Sequence, residues 1–194
     1  MNLCEARLVA REKENRILSR QKAQSSLAYA RYYPAPSTSA GLVEELLAFR
    51  IGASPRDYLV VRPRRRTFPL AADLYDRDWV YATIKIAAGG FVGQFAAMLR
   101  ADEFVRFRHQ LRRLEQSAGE KAAFDATVGG LRIDVTAKSD GRFHAKGCAV
   151  DQRGIGNRLT FAIDFDGSEL PRVLSGLDSI CEAFPVFGKA PALR

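Results

Sequence analysis

The 194-residue sequence predicts an α+β fold. It should hold a mainly antiparallel, curved sheet of six to seven strands with two amphipathic helices, plus a loosely structured N-terminal helical arm. Three observations carry this reading. Apolar residues alternate with period two in successive runs joined by glycine-containing turns. Two later stretches repeat apolar residues at helical spacing. Most strands follow one another through short hairpin turns, not through the long helical crossovers that parallel strands need.

The arm and linker occupy residues 1–47, a single α+β domain residues 48–187, and a tail residues 188–194. Up to residue 31 the composition favours helix, yet Leu3, Leu8, Val9, Ile17, Leu18 and Leu27 make only a ragged stripe. A helix without a face to bury is marginal. Pro34-Ala35-Pro36-Ser37-Thr38-Ser39 then reads as a linker. Leu42 to Phe49 is expected to form a short helix, and Tyr58 to Val61 a first strand that runs into Arg62, Arg64, Arg65 and Arg66.

From Trp79 to Ala88, Val80, Ala82, Ile84 and Ile86 point one way and Trp79, Tyr81, Thr83 and Lys85 the other. Gly89-Gly90 turns the chain, and Phe91 to Leu99 alternates back as the second half of a hairpin. Ala101-Asp102-Glu103 opens a helix with acids where the dipole favours them. Phe104, Phe107, Leu111 and Leu114 form its buried stripe, and Arg106, Arg108, Arg112 and Arg113 a solvated face. Runs around Phe124, Leu131–Ala137, Phe143–Ala149 and Leu159–Phe165 make a four-stranded meander. Ser168 is expected to cap the last helix, which carries Leu170, Val173, Leu174, Leu177 and Cys181 on one stripe.

The net charge of +8 invites a polyanion-binding reading, but its distribution narrows it. Residues 1–70 hold 13 basic and 6 acidic residues, whereas residues 71–194 hold 17 and 16. The charge therefore belongs to the first third of the chain. With 47% hydrophobic and 27% charged residues, bulk disorder is excluded. No apolar run approaches the roughly 20 residues of a spanning helix. Arg7, Arg11 and Lys13 interrupt the only apolar N-terminal stretch, so no signal peptide is expected. Cys4, Cys148 and Cys181 are isolated, which fits free thiols in a reducing cytoplasm.

The residues assemble no catalytic set. His109 lies on a helix and His144 on a strand; Cys148 shares a face with His144 but lies about 13 Å along it, beyond hydrogen-bond reach. Asp164 and Asp166 fit turn chemistry. Asp73, Asp76 and Asp78 lack the register of a calcium loop. Gly154-x-Gly156 precedes a strand, not a helix, so it is no phosphate cradle. Neither a cofactor nor a metal is expected. The one sharp patch is Arg62–Arg66: alternation places Arg62, Arg64 and Arg66 on one side and Arg65 on the other, a stripe that could hold phosphates. The plainer reading is an edge strand blunted with charge.

Several motifs together resemble a known family. They are Phe68-Pro69-x-Ala71-Ala72-Asp73-x-Tyr75-Asp76-x-Asp78-Trp79-Val80 and Ala88-Gly89-Gly90-Phe91-x-Gly93-x-Phe95. Glu103-Phe104-x-x-Phe107 with Leu111, Gly156-Asn157-x-Leu159-x-Phe161 and Phe184-Pro185-Val186 complete the pattern. The stretch from residue 48 to residue 187 resembles the WapI-type immunity proteins of bacterial polymorphic toxin systems. Asp78 stands where the family usually has Asn, and Asp166-Gly167-Ser168 where it often has Asp-Gln-Thr. The resemblance implies a cytosolic protein that binds and neutralises a cognate toxin, and it carries over no catalytic residue. The acidic and aromatic loop of Asp73, Tyr75, Asp76, Asp78 and Trp79 is the best local candidate for the partner surface. The competing reading is a strand-entry loop with Trp79 in the core.

Overall fold

The computed structural model describes residues 47–116, 120–152 and 154–188, all within the unit Gly41–Arg194. The arm expected over residues 1–47 and the tail over residues 188–194 lie outside the described residues, apart from Leu47 and Gly188.

Among the described residues, eight strands form two antiparallel sheets of four. β1 (Phe49–Ile51), β2 (Asp57–Arg66), β3 (Trp79–Ala88) and β4 (Phe91–Arg100) make the first, in that order. β5 (Lys121–Asp125), β6 (Leu131–Ala137), β7 (Arg142–Val150) and β8 (Arg158–Asp166) make the second. A four-residue helix α1 (Leu74–Arg77) precedes β3, α2 (Ala101–Gln116) joins the two sheets, and α3 (Leu170–Ala183) closes the described chain. The fold is α+β, but the single sheet of six to seven strands is corrected to two meanders. Alternation identifies strands and their hairpin partners; it does not say whether strands on either side of a helix pair, and β4 and β5 do not. The expected helix over Leu42–Phe49 is also corrected at its described end, because Phe49 lies in β1, a strand too short for a period-two signal.

One apolar core unites these layers. Phe49 meets Phe104, Phe107 and Phe124 at ring-centroid distances of 6.4, 5.8 and 6.1 Å. Each buried phenylalanine contributes about 1.5–3 kcal/mol. The stripe read from α2 is buried as its spacing requires, with Phe104 and Phe107 at 0% exposure. Part of its basic face is engaged: Arg108 and Arg112 pair with Asp178 of α3 at 3.2 and 2.8 Å. Helix α3 comes so close to β1 that a Cβ on Gly176 would lie 2.4 Å from the Ala48 carbonyl oxygen. The cap before α3 is Asp166, not Ser168. Its carboxylate accepts from Ser168 N, and Glu169 reaches back to Asp166 N, so the capping box forms on a short 3-10 turn, Gly167–Glu169.

Candidate functional site

The connection from β2 to β3 is the most unusual surface of the described chain. Phe68, Leu70, Leu74 and Tyr75 are exposed there, Leu70 at 93%, and Phe187 joins this group of exposed apolar side chains. Asp73 and Asp76 are exposed among them. Asp73 caps α1, its carboxylate accepting from Tyr75 N at 2.8 Å. A concavity of about 420 Å³ is lined by Phe68, Pro69, Leu70, Ala71 and Asp76.

Beneath this exposed face lies a buried charge cluster. Asp78 is 0% exposed. Its carboxylate accepts from the backbone amides of Phe187 at 2.8 Å and Gly188 at 3.1 Å. Arg66 and Arg100 each approach it to 3.7 Å. Arg66 also donates to the carbonyls of Arg77, at 2.6 Å, and Pro185, and lies 4.3 Å from the Phe187 ring. Burial lowers the Arg66 pKa, and Asp78 opposes that shift. Arg100 donates to the Tyr75 carbonyl and to Asp102, both at 2.9 Å, and its guanidinium lies 3.4 Å from the Tyr75 ring and 5.2 Å from Trp79. Asp102 in turn pairs with Arg106. Five alternating charges thus tie together the end of β2, the base of the loop, the end of β4 and the start of α2. A buried carboxylate this well satisfied holds its loop in one geometry.

The structure divides the predicted site residues by role. Asp73, Tyr75 and Asp76 face solvent, whereas Asp78 is enclosed. Trp79 is half-buried beside Arg100, outside the apolar core. The basic stripe is corrected. A register shift between Pro63 and Arg65 pairs Arg65 with Tyr81 and Arg66 with the buried Val80. Arg62 and Arg65 therefore share the outer face of the sheet, while Arg66 turns inward to Asp78. Proline cannot donate to the ladder and confers such irregularity, so Pro63 was the available signal. Arg100, Leu70, Leu74 and Phe187 were missed. The apolar content of Phe68–Tyr75, with neither strand nor helix periodicity, could have marked the loop.

Elsewhere, His144 Nδ1 lies 2.5 Å from Asp164 Oδ1 across β7 and β8, and Cys148 Sγ accepts from Arg158. A polar groove of about 400 Å³ includes Glu103, Arg106, Gln110 and Asp125. Its Glu103 accepts from Arg100 N and Thr127 N, and Gln110 accepts from Ala123 N. Burial raises the Glu103 pKa, with those two amides opposing it. These groups serve the fold. Among the described residues, no group of three or more His, Cys, Asp or Glu is arranged to hold a metal, and no helix is long and apolar enough to cross a membrane.

The family model for the Immunity protein WapI-like family matches residues 50–185, which include the charged side chains of the cluster and all of both sheets but Phe49. No curated protein matches the chain.

Proposed function

The chain belongs to the WapI-like immunity protein family, and from that premise we propose that it is a non-catalytic cytoplasmic protein that binds and neutralises a cognate bacterial toxin. The binding face in this reading is the loop Phe68–Asp76. One observation carries the assignment: Leu70 is 93% exposed on a loop whose base is fixed by the fully buried Asp78. Exposed apolar side chains gathered on one surface mark interaction sites. A pre-ordered loop spares the entropy that binding would otherwise cost. Leu70, Leu74 and Tyr75 supply the apolar anchors, and Asp73 and Asp76 a carboxylate rim. The complementary toxin surface is an apolar depression bordered by Lys or Arg.

The reading is tested by co-expressing the chain with the toxin encoded beside its gene. Growth should be rescued and the two proteins should co-purify in fixed stoichiometry. Failure of both rescue and co-purification with every neighbouring toxin overturns it.

A further inference from the structure

We propose that the groove between α2 and the free edge of β5 binds a free α-amino acid, at a site separate from the toxin-binding loop. β5 is an end strand of the second sheet, so β6 pairs only one of its edges. Ala126 N donates to the Leu131 carbonyl, and the register carries that pattern back to Phe124 and Ala122. The N–H and C=O groups of Ala123 and Asp125 therefore face away from β6. Helix α2 satisfies the amides on either side: Gln110 accepts from Ala123 N at 2.7 Å, and Glu103 from Thr127 N at 2.6 Å. Between them, the N–H and C=O of Asp125 have no partner among the described residues.

Asp125, Glu103, Arg106 and Gln110 line one groove of about 400 Å³, within the range of about 300–1,000 Å³ that small-molecule sites occupy. Arg106 stands three residues after Glu103 and four before Gln110, so the three share a helix face and Arg106 lies between the two side chains that cap the strand. Its Nη2 reaches Asp102 at 3.4 Å, and its Nε and Nη1 have no partner among the described residues. The Asp125 carboxylate is approached on Oδ2 alone, by Arg132 at 3.4 Å. The groove thus offers one guanidinium, one carboxylate and an open peptide group.

That set selects the ligand. An open strand edge pairs with a residue that returns both a donor and an acceptor. A running peptide strand does not fit, because the Gln110 and Glu103 side chains cross the edge at Ala123 and Thr127, roughly 13 Å apart along the chain. A single amino acid fits between them. Its carboxylate accepts from Asp125 N and Arg106, and its ammonium donates to the Asp125 carbonyl and carboxylate. A multiply charged anion such as phosphate meets only one guanidinium and is repelled by Asp125.

The test is titration calorimetry of the full chain with each of the standard free amino acids. At least one should bind with a dissociation constant of about 1 mM or tighter. For that amino acid, the amine lacking its carboxylate and the acid lacking its amino group should each bind at least about tenfold more weakly, because each leaves a charged partner unpaired. Arg106→Gln and Asp125→Asn should each weaken binding by at least about tenfold. Arg112→Gln, on the helix face that meets Asp178, should bind as the parent does. Leu70→Asp should also leave amino-acid binding unchanged while impairing the toxin complex, so the two roles fail independently. Circular dichroism establishes that each variant is folded, and the two ligand analogues probe the same contacts on the unaltered chain. Binding by none of the amino acids overturns the proposal, as does parent-like binding by a folded Arg106→Gln or Asp125→Asn. An acid lacking the amino group that binds as tightly as the amino acid also overturns it, assigning the groove to a simple anion instead.

Discussion

Asp78 and Asp164 have similar neighbours in opposite surroundings. Each carboxylate lies between two nitrogen-bearing side chains: Asp78 between Arg66 and Arg100 at 3.7 Å, Asp164 between Lys138 at 2.9 Å and His144 at 2.5 Å. By distance alone Asp164 is the better paired. By consequence the order is reversed, because the Asp78 side chain is 0% exposed and that of Asp164 is 38% exposed. Water screens the outer-sheet pair and solvates either partner when the other leaves. If Asp78 leaves, the Phe187 and Gly188 amides lose their acceptor and the part-buried Arg66 its carboxylate, in surroundings that water screens far less. Burial, not proximity, decides which cluster shapes the molecule, and the buried one lies beneath the exposed apolar loop.

The largest expected effect is therefore at Asp78. Asp78→Ala should cost about 3–5 kcal/mol in urea unfolding, since it takes the one carboxylate partner from Arg66, one of two from Arg100, and the acceptor from two backbone amides. Asp78→Asn separates charge from shape: it can still accept hydrogen bonds, so a smaller loss assigns the difference to the ion pairs. A cost for Asp78→Ala no larger than that for Asp164→Ala would break the comparison.

Arg100→Ala should come next, ahead of Arg66→Ala. Arg100 is the more deeply buried, at 4% against 12%, and it also neutralises Asp102. Chemical denaturation of the two variants should place Arg100→Ala about 1–2 kcal/mol below Arg66→Ala. Equal costs would make Asp102 irrelevant to the cluster.

Asp164 gives the smallest effect. Removing an exposed pair of this kind costs about 0.2–1 kcal/mol and less in high salt. Its sign with pH is nonetheless defined. Hydrogen bonding from His144 and then Lys138 holds the Asp164 pKa down from 3.8 to about 2. A depressed carboxylate pKa stabilises the fold above the ordinary value, and that contribution falls away as pH drops through the folded one. The stability gap between the parent and Asp164→Asn should thus be whole above about pH 4 and vanish toward pH 2. A gap that widens on acidification would contradict the assignment.

The same contrast explains what was legible in the sequence. The α2 stripe of Phe104, Phe107, Leu111 and Leu114 was legible because helical periodicity reports directly on burial. The strands other than the three-residue β1 were legible for the same reason at period two. The separation into two sheets was not, because pairing across α2 leaves no mark on either strand's pattern. Arg66 and Asp78 were both visible as charged residues but assigned to different surfaces. Their union depends on the register shift at Pro63 and on a contact 12 residues away in sequence, which no local spacing encodes. Asp73, Tyr75 and Asp76 were legible as a polar, aromatic loop; the weight of Leu70 and Leu74 emerged only once the fold left them uncovered.

In the proposed function the exposed loop Phe68–Asp76 is the partner surface. The direct measurement is the dissociation constant of the full chain for the toxin encoded beside its gene, compared with that of a folded Leu70→Asp variant, by titration calorimetry. Placing a carboxylate at a central apolar anchor should weaken binding by about 100-fold or more, with the unfolding midpoint unchanged because Leu70 is 93% exposed. An affinity within about threefold of the parent would place the toxin on another face and contradict the role of this loop.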